Sequence, residues 1–288
     1  MNVYSKVAQR GKMFSALTEP VEIKSLEAYI KTVCDEASLW IKYNREFAEK
    51  RYPLVLYRGQ EKDDPLLPKI ARNKLLSKDI AQKEQNIISE FRKLACPFTD
   101  YKFNNNEWDM LALAQHHGLP TRLLDWTENP LAALWFALVK ENPDTEFRYV
   151  YRLILNGDEI FDTNIGTTPF NMNHTGVFRP NHVTKRITVQ SGWFSVHNCV
   201  KRKKFISLND QKNFSKRLAK YKIPNNPVLI KDILIRLDRL GINHFTLFPD
   251  VDGLSKYLEW RYTENNMKVP IRKKKPLTVA HRLVIKKP

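Results

Sequence analysis

An α+β fold is what this sequence predicts, with a helical N-terminal region followed by a mixed or antiparallel sheet flanked by helices. Three observations lead there. Apolar residues recur at three- and four-residue steps through the first half of the chain. Two-residue alternation is concentrated in the second half. Glycine and proline sit between the periodic segments and not within them.

Residues 22–50 read as an amphipathic helix, with Leu26, Tyr29, Ile30, Val33, Trp40 and Ile41 recurring between charged positions. Residues 54–57 are a short strand opened by Pro53 and closed by Arg58 and Gly59. Residues 78–94 give a second helix, striped by Ile80, Ile87, Ile88, Phe91 and Leu94. Residues 108–117 give a third, stopped by Gly118 and Pro120. A brief strand is expected at 123–126. Thr127 is then the expected N-cap of a helix over 131–139, which is apolar on nearly every side and must be deeply buried. Strands follow at 147–155, 182–189 and 193–200, a helix at 230–240, a last strand or strand-like turn at 245–248, and a helix at 254–262.

Composition narrows the function. The 288 residues are 42% hydrophobic and 27% charged, ordinary for a globular chain, and the nine glycines argue against a glycine-loop nucleotide site. The longest apolar run is nine residues, 131–139, where a membrane span needs roughly 20. With no apolar stretch in residues 1–14, the expectation is a soluble, cytoplasmic protein with no membrane partner. Three scattered cysteines support neither a disulfide framework nor a zinc site, so no metal is expected.

The net charge of +17 is uneven, because residues 265–288 hold eight Lys or Arg and no acid. That leaves +9 for the rest. A second run is Lys201, Arg202, Lys203 and Lys204. These clusters, with Arg272, Lys273, Lys274 and Lys275 in the tail, make nucleic acid the expected partner.

Two segments carry candidate chemistry. Arg58 at the end of an apolar strand can fork two oxygens of a phosphate or carboxylate, and Gly59 beside it leaves room for a ligand to approach. Residues 115–127 crowd Gln115, His116, His117, Thr121, Arg122, Asp125, Trp126 and Thr127 between a helix end and a buried helix. Adjacent histidines on a helix point about 100° apart, which disfavours zinc. Two readings of the block stand level. It is a binding site, or it is scaffold in which Arg122 and Asp125 form a buried pair and the histidines cap the helix.

At these residues the sequence resembles the FRG domain family. The resemblance rests on Tyr57-Arg58-Gly59-Gln60, Leu66-Leu67-Pro68 with Arg72, Glu90-Phe91, residues 115–137, Gln190-Ser191-Gly192-Trp193-Phe194 with His197, and residues 247–254. Tyr57 stands where the family motif has Phe. The implied organisation is a helical extension over 1–50, the FRG domain over 51–263 and a basic tail over 264–288.

A second resemblance is to ADP-ribosyltransferases, which clamp NAD in a split sheet. Arg58-Gly59 is similar to their first element, and residues 124–127 leading into Pro130-Leu131-Ala132-Ala133-Leu134-Trp135-Phe136-Ala137 are similar to their second. Asp125 replaces the usual serine, the late acid would be Asp250 or Asp252 in place of Glu, and there is no ExE motif. The likeness implies a split sheet and an NAD-consuming enzyme acting on nucleic acid or protein in a bacterial or phage conflict system. It implies catalytic roles for Arg58, His116, Asp125, Asp250 and Asp252. It also implies NAD contacts from Arg58, Gly59, Gln60, Gln115, His117, Thr121, Arg122, Trp126 and Thr127, with Trp126 or His117 stacking on a ring. The alternative is a non-catalytic nucleic-acid-binding module. A nuclease has little to stand on, with Asp250 and Asp252 its candidate acid pair and no glycine-framed metal loop. If the site reading holds, Arg58, His116, Arg122, Asp125 and Asp250 meet in one pocket at the rim of an apolar core.

Overall fold

The computed structural model describes residues 20–47, 53–72, 79–98, 106–155, 157–163, 167–181, 189–200 and 204–263. It is a mixed α/β fold built on one seven-stranded, mostly antiparallel sheet. In chain order the strands are β1 (Val21–Glu22), β2 (Leu54–Gln60), β3 (Leu123–Thr127), β4 (Phe147–Leu155), β5 (Gly176–Phe178), β6 (Gly192–Val196), β7 (Cys199–Val200), β8 (Lys204–Phe205) and β9 (Leu218–Pro224). Their order across the sheet is β1-β9-β4-β2-β3-β6-β5, and β7 and β8 form a separate pair. The helices are α1 (Leu26–Phe47), α2 (Lys69–Arg72), α3 (Ile80–Ala95), α4 (Glu107–His116), α5 (Pro130–Leu138), α6 (Lys212–Ser215), α7 (Pro227–Arg239), α8 (His244–Leu247) and α9 (Val251–Thr263).

Side chains alternate across each strand, and so the sheet has two faces of different character. One face carries a continuous cluster in which Leu56, Leu124, Trp126, Tyr151 and Leu153 pack on Leu66, Leu208 and Phe214. The opposite face is divided. Tyr57, Val150, Tyr221 and Ile223 lie under α1, α5, α7 and α8. Leu123, Phe178, Phe194 and Val196 lie under α3 and α4.

The division continues into the hydrogen-bonded ladder. β2 pairs with β4 at seven positions and β3 pairs with β6 at five, but β2 meets β3 only at Tyr57 and Thr127. Beyond that rung the two strands diverge, which leaves a gap in mid-sheet.

Three local expectations are corrected. Residues 245–248 are not a strand. Asn243 and Thr246 form a capping box, Asn243 Oδ1 accepting from Thr246 N and Thr246 Oγ1 accepting from Asn243 N, and the strand propensity of Phe-Thr-Leu-Phe gives way to a helical turn. Thr127 does not cap α5 but stays in β3. Its hydroxyl donates to Gln190 O and accepts from Asn129 N, while Asn129 caps the helix through Leu131 N and Ala132 N. β9, which the sequence reading leaves out, alternates buried Ala219, Tyr221 and Ile223 with half-buried Lys220 and Lys222. The strand expected at 182–189 lies outside the described residues except for Val189.

Candidate functional site

The gap between β2 and β3 opens into a cleft of about 730 Å³. Because the sheet is interrupted, side chains from both of its faces line one space. Arg58 and Gln60 come from β2, Asp125, Trp126 and Thr127 from β3, Gln115 and His116 from the end of α4, and Phe136 and Lys140 from α5 and the residues after it.

Arg58 lies on the same strand face as Leu56, with 16% of its side chain exposed. Its Nη1 spans the gap to donate to the backbone carbonyl of Asp125 at 2.9 Å, and lies 3.8 Å from the Asp125 carboxylate. Its Nε donates to Gln60 Oε1, and Gln60 in turn holds the following loop through Lys62 O and Asp64 O. Burial lowers the guanidinium's pKa, and the charge of Asp125 works against that. Arg58 replaces, with a side chain, part of the hydrogen bonding that the diverging strands give up.

Asp125 is 59% exposed and held from the α4 side. Gln115 Nε2 donates to Asp125 Oδ2 at 3.0 Å, and Gln115 Oε1 accepts from Thr121 Oγ1 at 2.6 Å. Thr121, Gln115, Asp125 and Arg58 therefore form one chain of contacts, drawn from a turn, a helix end and two strands. The buried pair expected between Arg122 and Asp125 does not exist. Positions 122 and 125 face opposite sides of the chain, and Arg122 turns inward to Glu84, which accepts from its backbone N, Nε and Nη2 at 2.7, 2.8 and 2.6 Å. Arg122 Nη1 also donates to Pro169 O, and its guanidinium lies over Phe170. Arg122 is scaffold.

Gly59 has a different reason from the one expected. A Cβ there would stand 2.0 Å from Ala133 O and 2.5 Å from Ala137 N, so the missing side chain lets α5 cross β2 in backbone contact. Trp126 is only 3% exposed and donates through Nε1 to Ser195 Oγ, which makes it a fixed wall and not an open stacking face. Beneath it, His197 is fully buried with Nε2 3.2 Å from the same Ser195 hydroxyl, and burial pushes its pKa down to about 3. His117 is exposed, caps α4, and sits edge-on to His116 outside the cleft lining.

The cleft thus gathers Arg58, Gly59, Gln60, Gln115, His116, Asp125, Trp126 and Thr127, and leaves out His117, Thr121, Arg122, Asp250 and Asp252. Asp250 Oδ1 accepts from Gly253 N at the start of α9, and Asp252 is exposed in that helix's first turn. A strand over 245–248 would have delivered Asp250 to the rim of the core, but the segment before it is the helical turn α8. Lys204 is exposed on β8. Residues 201–203 and 272–275 lie outside the described residues. Among the described residues no group of three or more His, Cys, Asp or Glu is arranged to hold a metal ion, and no helix is long and apolar enough to cross a membrane.

Sequence reasoning overlooked Lys62 and Lys140 as lining residues, and it singled out Arg72, Phe136 and Trp193 only within motifs. Arg72, Lys62 and Lys140 join Arg58 as cations, with Glu61, Asp64 and Asp125 as acids. Lys140 pairs with Glu61 at 3.3 Å. Lys140 follows directly on the apolar helix run, a signal that was available in the sequence.

Residues 54–146 match the family model of the FRG domain, a span that contains Arg58, Gln115, Asp125 and all of α5. No curated protein and no solved structure matches the chain.

Proposed function

We propose, starting from the FRG domain match over residues 54–146, that the cleft takes NAD as the substrate of an ADP-ribosyltransferase-type reaction, with nucleic acid or protein as acceptor. The resemblance to ADP-ribosyltransferases adds a setting in bacterial or phage conflict. One observation carries the reading: a sheet interrupted between β2 and β3, with Arg58 on one side of the gap and Asp125 on the other.

The residues present fit such a ligand. A volume of about 730 Å³ lies within the range of small-molecule sites. Arg58 and Arg72 would hold the diphosphate, the guanidinium fork of Arg58 leaving the Asp125 carbonyl for phosphate oxygens. Phe136 and Trp193 offer apolar walls for a ring. Breaking the bond between the nicotinamide nitrogen and the ribose carbon leaves the electron pair on nitrogen and positive charge on the sugar. The Asp125 carboxylate, oriented by Gln115, stabilises that charge. The acceptor's nucleophilic atom then bonds to the same carbon, and its proton passes to Asp125 or to water.

The test is incubation of the purified protein with labelled NAD, alone and with DNA, RNA or protein. Nicotinamide release and a labelled acceptor are expected, and both should be lost in Arg58→Ala. Absence of NAD binding and of nicotinamide release would end the enzymatic reading.

A further inference from the structure

A second cavity, of about 470 Å³, lies on the divided face of the sheet between α1 and the start of β2. Its walls are apolar: Val33, Ala37 and Ile41 come from α1, Val55 from β2 and Pro130 from α5. Its polar groups converge on one spot. Glu36, in the middle of α1, is 8% exposed, and its Oε2 accepts from the Tyr221 hydroxyl at 2.7 Å and pairs with Arg152 Nη1. No described residue donates to its other oxygen, Oε1. Tyr57 is the cross-strand partner of Arg152 and shares its face of the sheet. It is 7% exposed, and its hydroxyl makes no hydrogen bond among the described residues. Burial, and after it the Glu36 charge, push its pKa up to about 12, so the phenol is neutral beside the carboxylate. Buried polar groups are as a rule hydrogen-bonded, and a carboxylate oxygen and a phenol open to the same cavity mark a place for a donor.

We propose that this cavity binds a small organic cation, a primary amine with an apolar body, whose ammonium donates to Glu36 Oε1 and to the Tyr57 hydroxyl oxygen while the body packs against α1 and β2. The sign of the charge follows from depth. Arg152 has 1% of its side chain exposed against 11% for Glu36, so an entering group meets the carboxylate first. Glu128 lines the same cavity, exposed, and adds a second negative charge. An anionic ligand would stand against both acids. A neutral one would bury the open carboxylate oxygen without a cation to offset the lost hydration. Tyr57 also lines the cleft, but this site is complete without NAD and does not rest on the reading above.

Isothermal titration calorimetry on the full-length protein without NAD compares phenethylamine with hydrocinnamate and phenethyl alcohol, which keep the ring and change the charge. Phenethylamine is expected to bind saturably with one equivalent, at least about tenfold tighter than either of the others. Substituting Glu36 would also disturb Arg152 and Tyr221, so the charge is varied on the ligand instead. Ala37→Trp, at an exposed position on α1, should fill the cavity and abolish binding with Tm unchanged. Tyr57→Phe removes only the hydroxyl and should weaken the amine about tenfold. Arg58→Ala should bind it as the parent does, so that failure of NAD turnover and failure of this site read out separately. The proposal is overturned by an absence of saturable phenethylamine binding, by equal or better binding of hydrocinnamate or the alcohol, by binding unchanged in Ala37→Trp or in Tyr57→Phe, or by its loss in Arg58→Ala, which would put the amine in the cleft.

Discussion

Glu84→Ala tests how the candidate site is held in place. Glu84 and Arg122 are fully buried, and Glu84 accepts three hydrogen bonds from Arg122, one of them from its backbone N. Burial raises the pKa of Glu84, and the Arg122 charge opposes that rise. Deleting the carboxylate leaves a guanidinium inside the core with Pro169 O and an aromatic ring for company. Breaking one side of such a pair costs about 3–5 kcal/mol. At roughly 2–4 °C of Tm per kcal/mol for a chain of this size, Tm should fall by about 10 °C. Asp125→Ala, on a side chain 59% exposed, should cost less than about 1 kcal/mol. Urea and thermal unfolding of both variants decide the matter, and Glu84→Met combined with Arg122→Met should recover most of the loss. A Glu84→Ala protein within about 1 kcal/mol of the parent, or an Asp125→Ala protein that is the less stable of the two, would refute the assignment of Arg122 as scaffold.

Other outcomes follow from the same geometry. Gly59→Ala should destabilise by about 3 kcal/mol or more, since the new methyl meets α5 backbone that cannot step aside; an unchanged urea midpoint would contradict this. Under the proposed NAD reaction, Arg58→Ala and Asp125→Ala should remain folded by circular dichroism while any nicotinamide release falls by at least about a hundredfold, and a folded, fully active Arg58→Ala would dissolve the site. His197 titrates at about 3 when folded, against an ordinary value of 6.5, so the unfolded chain binds the proton more readily across that window. Stability contributed by its neutral form is complete above pH 6.5 and drains as pH falls toward 3, by at most about 5 kcal/mol, with Arg58 and Arg122 adding to the bias against the charged ring. In His197→Gln the acid limb of the stability curve should be shallower than in the parent, and identical limbs would exclude this origin.

Much of the fold was legible because it rests on periodicity. The strand over 147–155 occupies the span its apolar alternation marks out, and α3, α4 and α5 start and stop within two residues of their punctuation. What failed depended on partners distant in sequence. Glu84 lies 38 residues from Arg122, and no local pattern joins them. A clue was still present, since Ile80, Glu84 and Ile88 share one helical stripe, and an acid on an apolar stripe demands a cation. The site was half legible. Arg58, Gln115, His116, Asp125 and Trp126 share a cleft, whereas Asp250 was misplaced because a capping box outweighed strand propensity in the segment before it. At Gly59 the sequence shows that a side chain is missing, but not that the body crossing there is α5, 74 residues further along the chain at Ala133.

The single rung between Tyr57 and Thr127 has a mechanical meaning. On either side of it the strands form two leaves, β1-β9-β4-β2 and β3-β6-β5, each with its own helices on the divided face. Within a leaf every rung shares the load with its neighbours, so twisting one strand means breaking several bonds in concert. Across the joint the backbone offers one pair, with the Arg58 bolt beside it, and the rest of the connection is apolar packing of Leu56, Tyr151 and Leu153 on Leu124 and Trp126. α5 packs on Gly59 in backbone contact beside the joint. The backbone ladder is therefore thinnest at the joint, and side chains set the spacing of the leaves: the Arg58 bolt and the continuous apolar cluster that spans both.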